Sequence, residues 1–349
     1  MRSSYDRDDV IFLLKDITGL VEPEPAEVRE RQIQSGRHYC EMLPLEYVPS
    51  AAYMEAYREA LKYFAVPVAE AVGRLADRIM ETGGAGTVLV SLARAGTPAG
   101  ILLKRYIRKK YGVSLPHYSV SIIRGRGIDH NAMKYLLERY AAERLLFVDG
   151  WTGKGAILRE LEKEMAGYEG VSPGLAVLAD PAGLAALCGT RESLLIPSSC
   201  LNSTVSGLVS RTFLRKDIIG KDDFHGAVYY RELEGADLSM DFIQAIEKEF
   251  PEEAPEEPQR GGGCGMEEVE RLAKEYGIGD VNLIKPGIGE ATRVLLRRIP
   301  WKVLIREDCR GDVSLAHMLR LAQEKKAPVE YVPMRHYKAC GLIKNLADT

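Results

Sequence analysis

The stretch "RLLFVDGWTGKGAILREL", residues 144–161, decides the fold class of this chain of 349 residues. An apolar run ends in Asp149, a glycine-rich turn follows, and apolar residues then resume at helical spacing. This order is typical of a buried strand, a tight loop and the start of a helix. Because helix N-terminal amides and Lys154 give such a loop a positive potential, the sequence predicts an anion site there.

Strand and helix signals alternate on both sides of this stretch. Residues 97–112 have helical spacing and end at Gly112. Four runs read as strands: "GTVLVSLA" (86–93), "LPHYSVSII" (115–123), "GLAVLAD" (174–180) and "SLLIPSS" (193–199). Such alternation predicts an α/β fold with a parallel sheet and helices on both faces. Ligands in these sheets bind beyond the carboxyl ends of the strands, so the loops there are the candidate functional sites.

A second composition appears in "FPEEAPEEPQRGGGCGMEE", residues 250–268. It is rich in Pro, Glu and Gly without apolar periodicity, which predicts a flexible linker with few contacts across it. We therefore divide the chain into residues 1–250, a linker at 251–265 and a unit at 266–349. That last unit has 15 Lys and Arg against 12 Asp and Glu, whereas the whole chain has a net charge of −3.

Composition excludes several classes of protein. No apolar run approaches the ~20 residues that a membrane-spanning helix needs, and the N-terminus is too acidic for a secretory signal peptide. We therefore expect a cytoplasmic protein with no membrane partner. The six cysteines form no CxxC pair, which excludes zinc-knuckle and thioredoxin-type sites. Scattered cysteines in a reducing compartment are usually free thiols.

The glycine-rich loop is not a Walker A motif. That motif needs four residues between its first glycine and the Gly-Lys pair, followed by Ser or Thr. Here two residues intervene and Gly155 follows Lys154. A helix-capping turn with incidental glycines remains the alternative to an anion site.

The loop resembles the ribose-phosphate loop of type I phosphoribosyltransferases, with Gly150 in place of the usual second acid. The resemblance implies that Asp149 contacts ribose or metal-bound water. It implies a 5-phosphate site at Thr152, Gly153, Lys154 and Gly155. "SLARAGTPAG" (91–100) takes the place of the pyrophosphate loop, which implies contacts by Arg94, Ala95, Gly96 and Thr97. "IIRGRGID" (122–129) takes the place of the mobile loop, with Arg124 and Arg126 as cationic clamps.

A segment dense in hydroxyl and amide side chains, "IPSSCLNSTVSGLVSRT" (196–212), lies beyond a further strand. Such side chains at a strand end suit hydrogen bonding to a ligand. The candidate substrate-binding residues are Asp180, Asn202, Ser203, Thr204 and Arg211. A Ser- and Thr-rich cap is the alternative interpretation.

A longer resemblance covers nearly the whole chain. "GRHYCEMLP" (36–44), "LADPAG" (178–183) and "DDFHGAVYY" (222–230), together with the loops above, resemble a bacterial family of tellurium-resistance and stress gene clusters. That family joins a phosphoribosyltransferase-like domain to a Pelota-like RNA-binding domain. Its members are also labelled cysteine protease StiP, so the resemblance implies two different chemistries.

The C-terminal unit is similar to ribosomal and Pelota proteins that bind kink-turn RNA. "KPGIGEATRVLLRRIP" (285–300) places a glycine-rich turn before a basic helix, and "YKACGLI" (337–343) reads as a turn into a last helix. The resemblance implies a three-layer α/β/α unit. It implies RNA contacts by Gly287, Gly289, Glu290, Arg293, Arg297 and Arg298. Basic helix faces suit phosphates, although a solvated face is the alternative.

The main functional hypothesis is glycosyl transfer, in which positioning and electrostatics dominate. The resemblance implies a phosphoribosyl pyrophosphate donor, an unknown base as acceptor, Mg²⁺ held in part by Asp149, and a nucleoside-like product. Structured RNA and a second copy of the chain are further expected partners.

Two alternatives stay open. A cysteine protease needs a histidine base beside its thiol, and the candidates are Cys40 with His38 and Cys200 with His225. Separations above ~8 Å in every pairing would exclude this chemistry. Most single cysteines are inert core residues. The other alternative is a non-catalytic protein that senses a nucleotide and binds RNA.

Overall fold

The computed structural model describes residues 1–46, 48–257 and 264–343, with a few helical side chains, including that of Arg297, outside the description. The larger unit is built on a mainly parallel seven-stranded sheet. In chain order its strands and those of a small two-stranded sheet are β1 (Ile11–Leu13), β2 (Lys15–Asp16), β3 (Val88–Ala93), β4 (His117–Ile123), β5 (Gly127–Ile128), β6 (Leu145–Trp151), β7 (Leu175–Ala179), β8 (Leu187–Thr190) and β9 (Gly226–Ala227).

The order of the main sheet is β1-β4-β3-β6-β7-β8, and β5 pairs antiparallel with β4. The strands β3, β4 and β7 are almost wholly buried. Continuous apolar strands are typical of parallel sheets that are covered on both faces. The predicted α/β class with a mainly parallel sheet is therefore confirmed. The strands β2 and β9 form a separate parallel pair that the sequence pattern did not indicate.

Six helices accompany the larger unit in the described residues. They are α1 (Ala26–Gln34), α2 (Ala51–Thr82), α3 (Gly96–Tyr111), α4 (His130–Leu137), α5 (Ala156–Met165) and α6 (Ser239–Glu247). The helix α3 ends at Gly112, whose φ of 68° is the left-handed conformation that glycine adopts most easily. No helix in the described part of the chain is long and apolar enough to cross a membrane.

The predicted strand at residues 193–199 is wrong. The edge position is taken by β8, which precedes it, and Pro197 begins a 3₁₀ turn that ends at Cys200. Proline has no amide hydrogen to donate to a strand ladder, and its φ suits the first residue of a turn. The apolar side chains of Leu195 and Ile196 are nevertheless buried, in the main hydrophobic cluster.

The C-terminal unit contains a four-stranded sheet of order β10-β13-β11-β12. Its elements are α7 (Gly265–Glu275), β10 (Ile284–Pro286), α8 (Ile288–Arg297), β11 (Pro300–Arg306), α9 (Ala316–Glu324), β12 (Val329–Val332) and β13 (Ala339–Ile343). The prediction of a turn into a helix at 337–343 is wrong, because most of this segment is β13, between β10 and β11. Residues 344–349 lie outside the described part.

The two units share a hydrophobic cluster, so the prediction of few contacts across the linker is wrong. Leu195 of the larger unit and Ile288 and Leu295 of α8 belong to the same cluster. Arg320 of α9 also forms ion pairs with Glu55 at 3.1 Å and Glu59 at 2.6 Å, both on α2. The composition of a linker governs its own order and says nothing of the surfaces it joins.

The domain boundaries at 250 and 266 stay a prediction. Within the described part of the predicted linker, Pro255 accepts a hydrogen bond from Arg74 at 3.1 Å. Glu257 accepts one from the Arg191 backbone amide at 2.7 Å. Residues 258–263 of the predicted linker lie outside the described residues.

Candidate active site

The cysteine and histidine of "HYC" meet in a short turn. His38 caps a 3₁₀ turn over Tyr39–Glu41, and its Nδ1 accepts a hydrogen bond from the Cys40 backbone amide at 3.3 Å. The same Nδ1 lies 2.9 Å from the Cys40 Sγ. A capping side chain folds back over the turn that it caps, and this brings the imidazole onto the thiol. The capping contact, rather than a shared strand face, thus brings this sequence-predicted pair together.

The hydrogen bonds of His38 indicate its tautomer. Since the Cys40 amide donates to Nδ1, the neutral ring carries its proton on Nε2. The thiol hydrogen can then point at the same Nδ1. Transfer of this proton gives a thiolate beside an imidazolium, which is the reactive form of cysteine nucleophiles.

Burial keeps the resting thiol protonated. Cys40 has no exposed surface, and this burial raises the pKa of its thiol to about 11. The charge of Arg126 lowers the pKa and that of Glu41 raises it, both by less than the effect of burial. The Sγ also lies 3.7 Å from the Leu214 carbonyl oxygen. Activation of Cys40 therefore depends on His38 as a base.

The loop between β4 and β5 lies over this pair. The Arg124 amide donates to the Tyr39 hydroxyl at 3.0 Å, and Arg126 forms an ion pair with Glu41 at 3.1 Å. A Cβ built on Gly125 would lie 3.8 Å from His38 Nε2. The predicted clamp residue Arg126 thus lies at the turn of the cysteine–histidine pair, whereas the Arg124 guanidinium donates to the Asn282 side chain at 3.3 Å.

The second cysteine–histidine candidate has other neighbours. Cys200 lies in the main hydrophobic cluster, near Tyr57. His225 Nδ1 lies 2.8 Å from the Ser121 hydroxyl, and its backbone amide donates to Asp129 at 2.5 Å. These contacts favour Cys40 and His38 as the reactive pair.

Arg211 also lies beside the turn. Its guanidinium carbon is 5.5 Å from the centre of the Tyr39 ring. Arg94 pairs with Glu46 at 3.1 Å, and Glu46 also accepts hydrogen bonds from the Ser203 amide and hydroxyl. The sequence-predicted residues Arg94 and Ser203 therefore share the Glu46 carboxylate, and Arg211 lies beside Tyr39 of the Cys40 turn.

Sequence reasoning missed Tyr39 and Glu46 in this group. Tyr39 lies within the quoted "GRHYCEMLP", so its position next to Cys40 was available as a signal. Glu46 has no local signal, because its partners Arg94 and Ser203 lie 48 and 157 residues away along the chain. Such long-range ion pairs are invisible to periodicity.

Comparison with known proteins identifies the family. The family described as "Tellurite-like stress resistance cysteine protease StiP" matches residues 3–247. A curated relative, the "Cysteine protease StiP" of Acinetobacter baylyi, is 37% identical over 365 aligned residues, which cover 98% of this chain and 94% of the relative. The chain belongs to the StiP family. The "PELOTA RNA binding domain" family matches residues 263–345.

Membership of the StiP family confirms the longer resemblance and overturns the main functional hypothesis. The prediction of a phosphoribosyltransferase is wrong, because the matched family and its curated relative are cysteine proteases. The strand–loop–helix pattern of residues 144–161 was read correctly as structure. A loop of this kind occurs on many α/β sheets, so it indicates a fold more strongly than a reaction.

In this StiP family member, residues of the predicted phosphate loop form hydrogen bonds with other parts of the chain. Lys154 Nζ donates to the Val281 carbonyl oxygen at 2.5 Å, and the Tyr337 hydroxyl donates to the Gly153 carbonyl oxygen at 2.9 Å. The Thr152 hydroxyl donates to Asp180, a fully buried carboxylate. The loop therefore forms part of the contact between the two units.

Asp149 lies at the end of β6, close to the same contact. Its carboxylate accepts a hydrogen bond from the Gly150 amide at 2.8 Å. Burial raises the pKa of Asp149 to about 7, while the Gly150 hydrogen bond and the charge of Arg293 lower it. The predicted roles of Asp149 and of the loop in binding ribose and phosphate stay predictions.

The remaining predicted residues of the larger unit have structural contacts. A Cβ on Gly96 would lie only 2.3 Å from the Val148 carbonyl oxygen, so only glycine fits beside β6. The Thr97 hydroxyl lies 2.8 Å from that of Ser119. The Asn202 carbonyl oxygen accepts from the Ser206 hydroxyl at 2.9 Å. Of the other predicted residues in the larger unit, Thr152, Gly155, Asp180 and Thr204 are buried, and Ala95 is exposed.

The predicted RNA-binding turn of α8 faces the larger unit. A Cβ on Gly289 would lie 2.8 Å from the Ser199 hydroxyl oxygen. Arg293 pairs with Glu290 at 2.8 Å and lies over the Trp151 ring at 5.9 Å. Gly287, Gly289 and Glu290 line a cleft between the units, opposite Trp151 and Thr152. Arg298 is exposed, and the Arg297 side chain lies outside the described residues.

Within the described ranges, no group of three or more His, Cys, Asp or Glu side chains is arranged to hold a metal ion. The Mg²⁺ expectation at Asp149 stays a prediction.

Proposed function

We propose that the chain is a cysteine peptidase in which Cys40 is the nucleophile and His38 is the general base. The observation that carries the proposal is the 2.9 Å contact between His38 Nδ1 and Cys40 Sγ. Membership of a family described as cysteine proteases supports the same chemistry.

The proposed reaction begins with proton transfer from the Cys40 thiol to His38 Nδ1. The thiolate then attacks the carbonyl carbon of a peptide bond, and the imidazolium returns the proton to the departing amine. Water, deprotonated by the same nitrogen, attacks the resulting thioester. This step releases the carboxylic acid and restores the thiol.

A substrate can reach Cys40 only if the loop at 124–126, which lies over the turn, moves away. Since Cys40 has no exposed surface, a peptide cannot reach its Sγ in the arrangement described. The loop at 124–126 is exposed, and the Arg126–Glu41 ion pair and the hydrogen bond from the Arg124 amide to the Tyr39 hydroxyl hold it to the turn. A partly exposed ion pair contributes only ~0–1 kcal/mol and a hydrogen bond about 0.5–1.5 kcal/mol, so breaking both contacts costs little.

The test is hydrolysis of a fluorescent casein by the full chain and its variants. We expect Cys40→Ser and His38→Gln to lower the rate at least ~10²-fold, because they remove the nucleophile and its base. Cys200→Ser is the matched control, a buried cysteine that should leave the rate within ~2-fold. Full activity in Cys40→Ser, or loss only in Cys200→Ser, would contradict the assignment.

We propose as a second function that residues 264–343 bind structured RNA. The match of this unit to an RNA-binding family supports the proposal. Exposed cations such as Arg298, Arg310, Lys325 and Lys326 lie on this unit, and Lys and Arg contacts to phosphates release counterions from RNA.

RNA binding is tested by measuring the dissociation constant of the full chain for a kink-turn RNA across a salt series. Affinity should fall as salt rises, and Arg298→Gln should reduce the logarithmic slope by ~0.7–0.9 if Arg298 contacts one phosphate. Arg139→Gln, an exposed arginine of the larger unit, is the control and should change nothing. Binding that ignores salt rejects the proposal.

At the level of fold alone, we propose that the larger sheet is of the type I phosphoribosyltransferase-like kind. The crossover order of its parallel strands supports this assignment. This fold assignment implies no particular activity. Superposition of an experimental structure of the chain on members of that fold tests the assignment.

A further inference from the structure

The Arg211 side chain lies next to the proposed nucleophile. Its guanidinium carbon is 5.5 Å from the centre of the Tyr39 ring, and Tyr39 precedes Cys40. Three residues further on, the Leu214 amide donates to the Cys40 carbonyl oxygen at 2.9 Å. The segment that carries Arg211 therefore runs directly beside the catalytic turn.

Two arginines lie near Arg211. Burial and the charges of Arg29 and Arg94 lower the pKa of Arg211 to about 10, while Tyr39 and the charge of Glu46 raise it by less. The nearby acid Glu46 pairs with Arg94 at 3.1 Å and accepts hydrogen bonds from Ser203. Among the described residues, no carboxylate forms an ion pair or hydrogen bond with Arg211.

An enclosed cation without a counter-ion is unfavourable, because burial removes its hydration and its arginine neighbours repel it. Folded proteins usually pair such a charge. Among the described residues, Arg211 contacts the face of the Tyr39 ring, while the nearby carboxylate of Glu46 is paired with Arg94 and Ser203. We infer that Arg211, positioned at the face of Tyr39, forms an anion subsite that binds a side-chain carboxylate of the peptide substrate beside Cys40. The inference rests on the proposed peptidase function.

The shape of the group favours a carboxylate. A guanidinium presents its N–H donors as a planar fork that matches the two oxygens of a carboxylate. The Tyr39 ring, 5.5 Å from the guanidinium carbon, holds the cation nearby by a cation–π contact. Arg124 lies on the exposed loop above the turn and hydrogen-bonds the neutral side chain of Asn282, so its charge makes the approach to the subsite positive and attracts acidic peptides.

The binding test uses the full chain with Cys40→Ser, which prevents turnover. Two peptides that differ only in one Glu or Gln, and inorganic phosphate, are titrated by calorimetry. We expect the Glu peptide to bind at least ~10-fold more tightly than the Gln peptide, since only the carboxylate pairs with the guanidinium. Adding Arg211→Gln should remove this difference.

Arg139→Gln provides the matched control. Arg139 also lies over a tyrosine ring, 3.6 Å from the centre of Tyr135, but it is exposed and follows the C-terminal end of α4. This variant should keep the preference for the Glu peptide. Equal binding of the two peptides, or a preference that survives Arg211→Gln, would overturn the inference. Binding of phosphate without any preference for the Glu peptide would overturn it as well.

Stability of the ligand-free chain separates a binding role from a structural one. If Arg211 serves a ligand, Arg211→Gln should leave the melting temperature unchanged or raise it, because an unpaired enclosed charge has been removed. A lower melting temperature together with lost binding would assign Arg211 to the fold and overturn the inference. Failure of hydrolysis by the parent chain would instead reject the peptidase proposal, since the calorimetric experiment needs no turnover.

Discussion

At the scale of single residues, buried ionisable groups with shifted pKa values mark either a functional site or a contact between the two units. Cys40, Asp149 and Arg211 all have pKa values displaced in the direction that burial of a charge imposes. Two of them lie at the proposed peptidase site. Asp149 lies at the contact with Arg293 of the C-terminal unit instead. Perturbed groups cluster at functional sites, but a contact between two units produces the same signature.

The raised pKa of Asp149 predicts that the free energy of unfolding depends on pH. Its pKa is raised from 3.8 to about 7, so the folded chain binds a proton that the unfolded chain releases between these values. The free energy of unfolding should therefore fall as pH rises from about 4 to about 7. Asp149→Asn should remove this slope and stabilise the chain by ~1–2 kcal/mol at pH 8. Urea denaturation across this pH range measures the effect, and an unchanged slope in the variant would contradict it.

At the scale of elements, the sequence pattern correctly predicted those strands and helices whose local sequence alone indicates their type. The buried strands β3, β4, β6 and β7 and the helix α3 were predictable, because β3, β6 and β7 contain short apolar runs, the segment of β4 alternates, and Gly112 marks the helix end. The strand β13 was misread, because "ACGLI" is short and its identity depends on pairing with β10 and β11. The contact of His38 with Cys40 was expected from their spacing, yet the capping turn that makes it was not.

The packing of α3 on β6 gives a prediction at this scale. A Cβ at Gly96 would lie 2.3 Å from the Val148 carbonyl oxygen, which is backbone and cannot move aside cheaply. Gly96→Ala should therefore lower the free energy of unfolding by ~1–3 kcal/mol. Gly153→Ala is the control, since nothing lies within 4 Å of a Cβ there and it should be nearly neutral. Equal effects of the two substitutions, measured by urea denaturation, would refute the predicted clash.

At the scale of the whole molecule, the decisive feature is the apolar cluster that both units share. The sequence predicts a boundary at an acidic, glycine-rich segment. The composition of that segment does not indicate whether the two units on either side of it contact each other. The residues that close the contact are separated by long stretches of chain, as with Tyr337 and Gly153, which are 184 residues apart. No local pattern reports such a pair.

The shared cluster predicts that the two units unfold together. The chain has two tryptophans, Trp151 in the larger unit and Trp301 in the smaller. Trp151→Phe and Trp301→Phe each leave one fluorescent reporter, so each variant follows one unit. We expect urea transitions with coincident midpoints, because separating the units exposes the common cluster to water. Two midpoints that differ while each variant keeps the parent's overall stability would show that the units unfold independently.

The turn that holds His38 and Cys40 has a consequence for chain entropy. Many catalytic groups are gathered from distant parts of a sequence, and their meeting closes long loops at an entropic cost that grows with loop length. Here a single residue separates the base from the nucleophile, so their meeting closes almost no loop. The contact between His38 and Cys40 therefore depends little on local unfolding in other parts of the chain. Opening of the loop at 124–126 changes what can reach the sulfur and leaves the pair itself assembled.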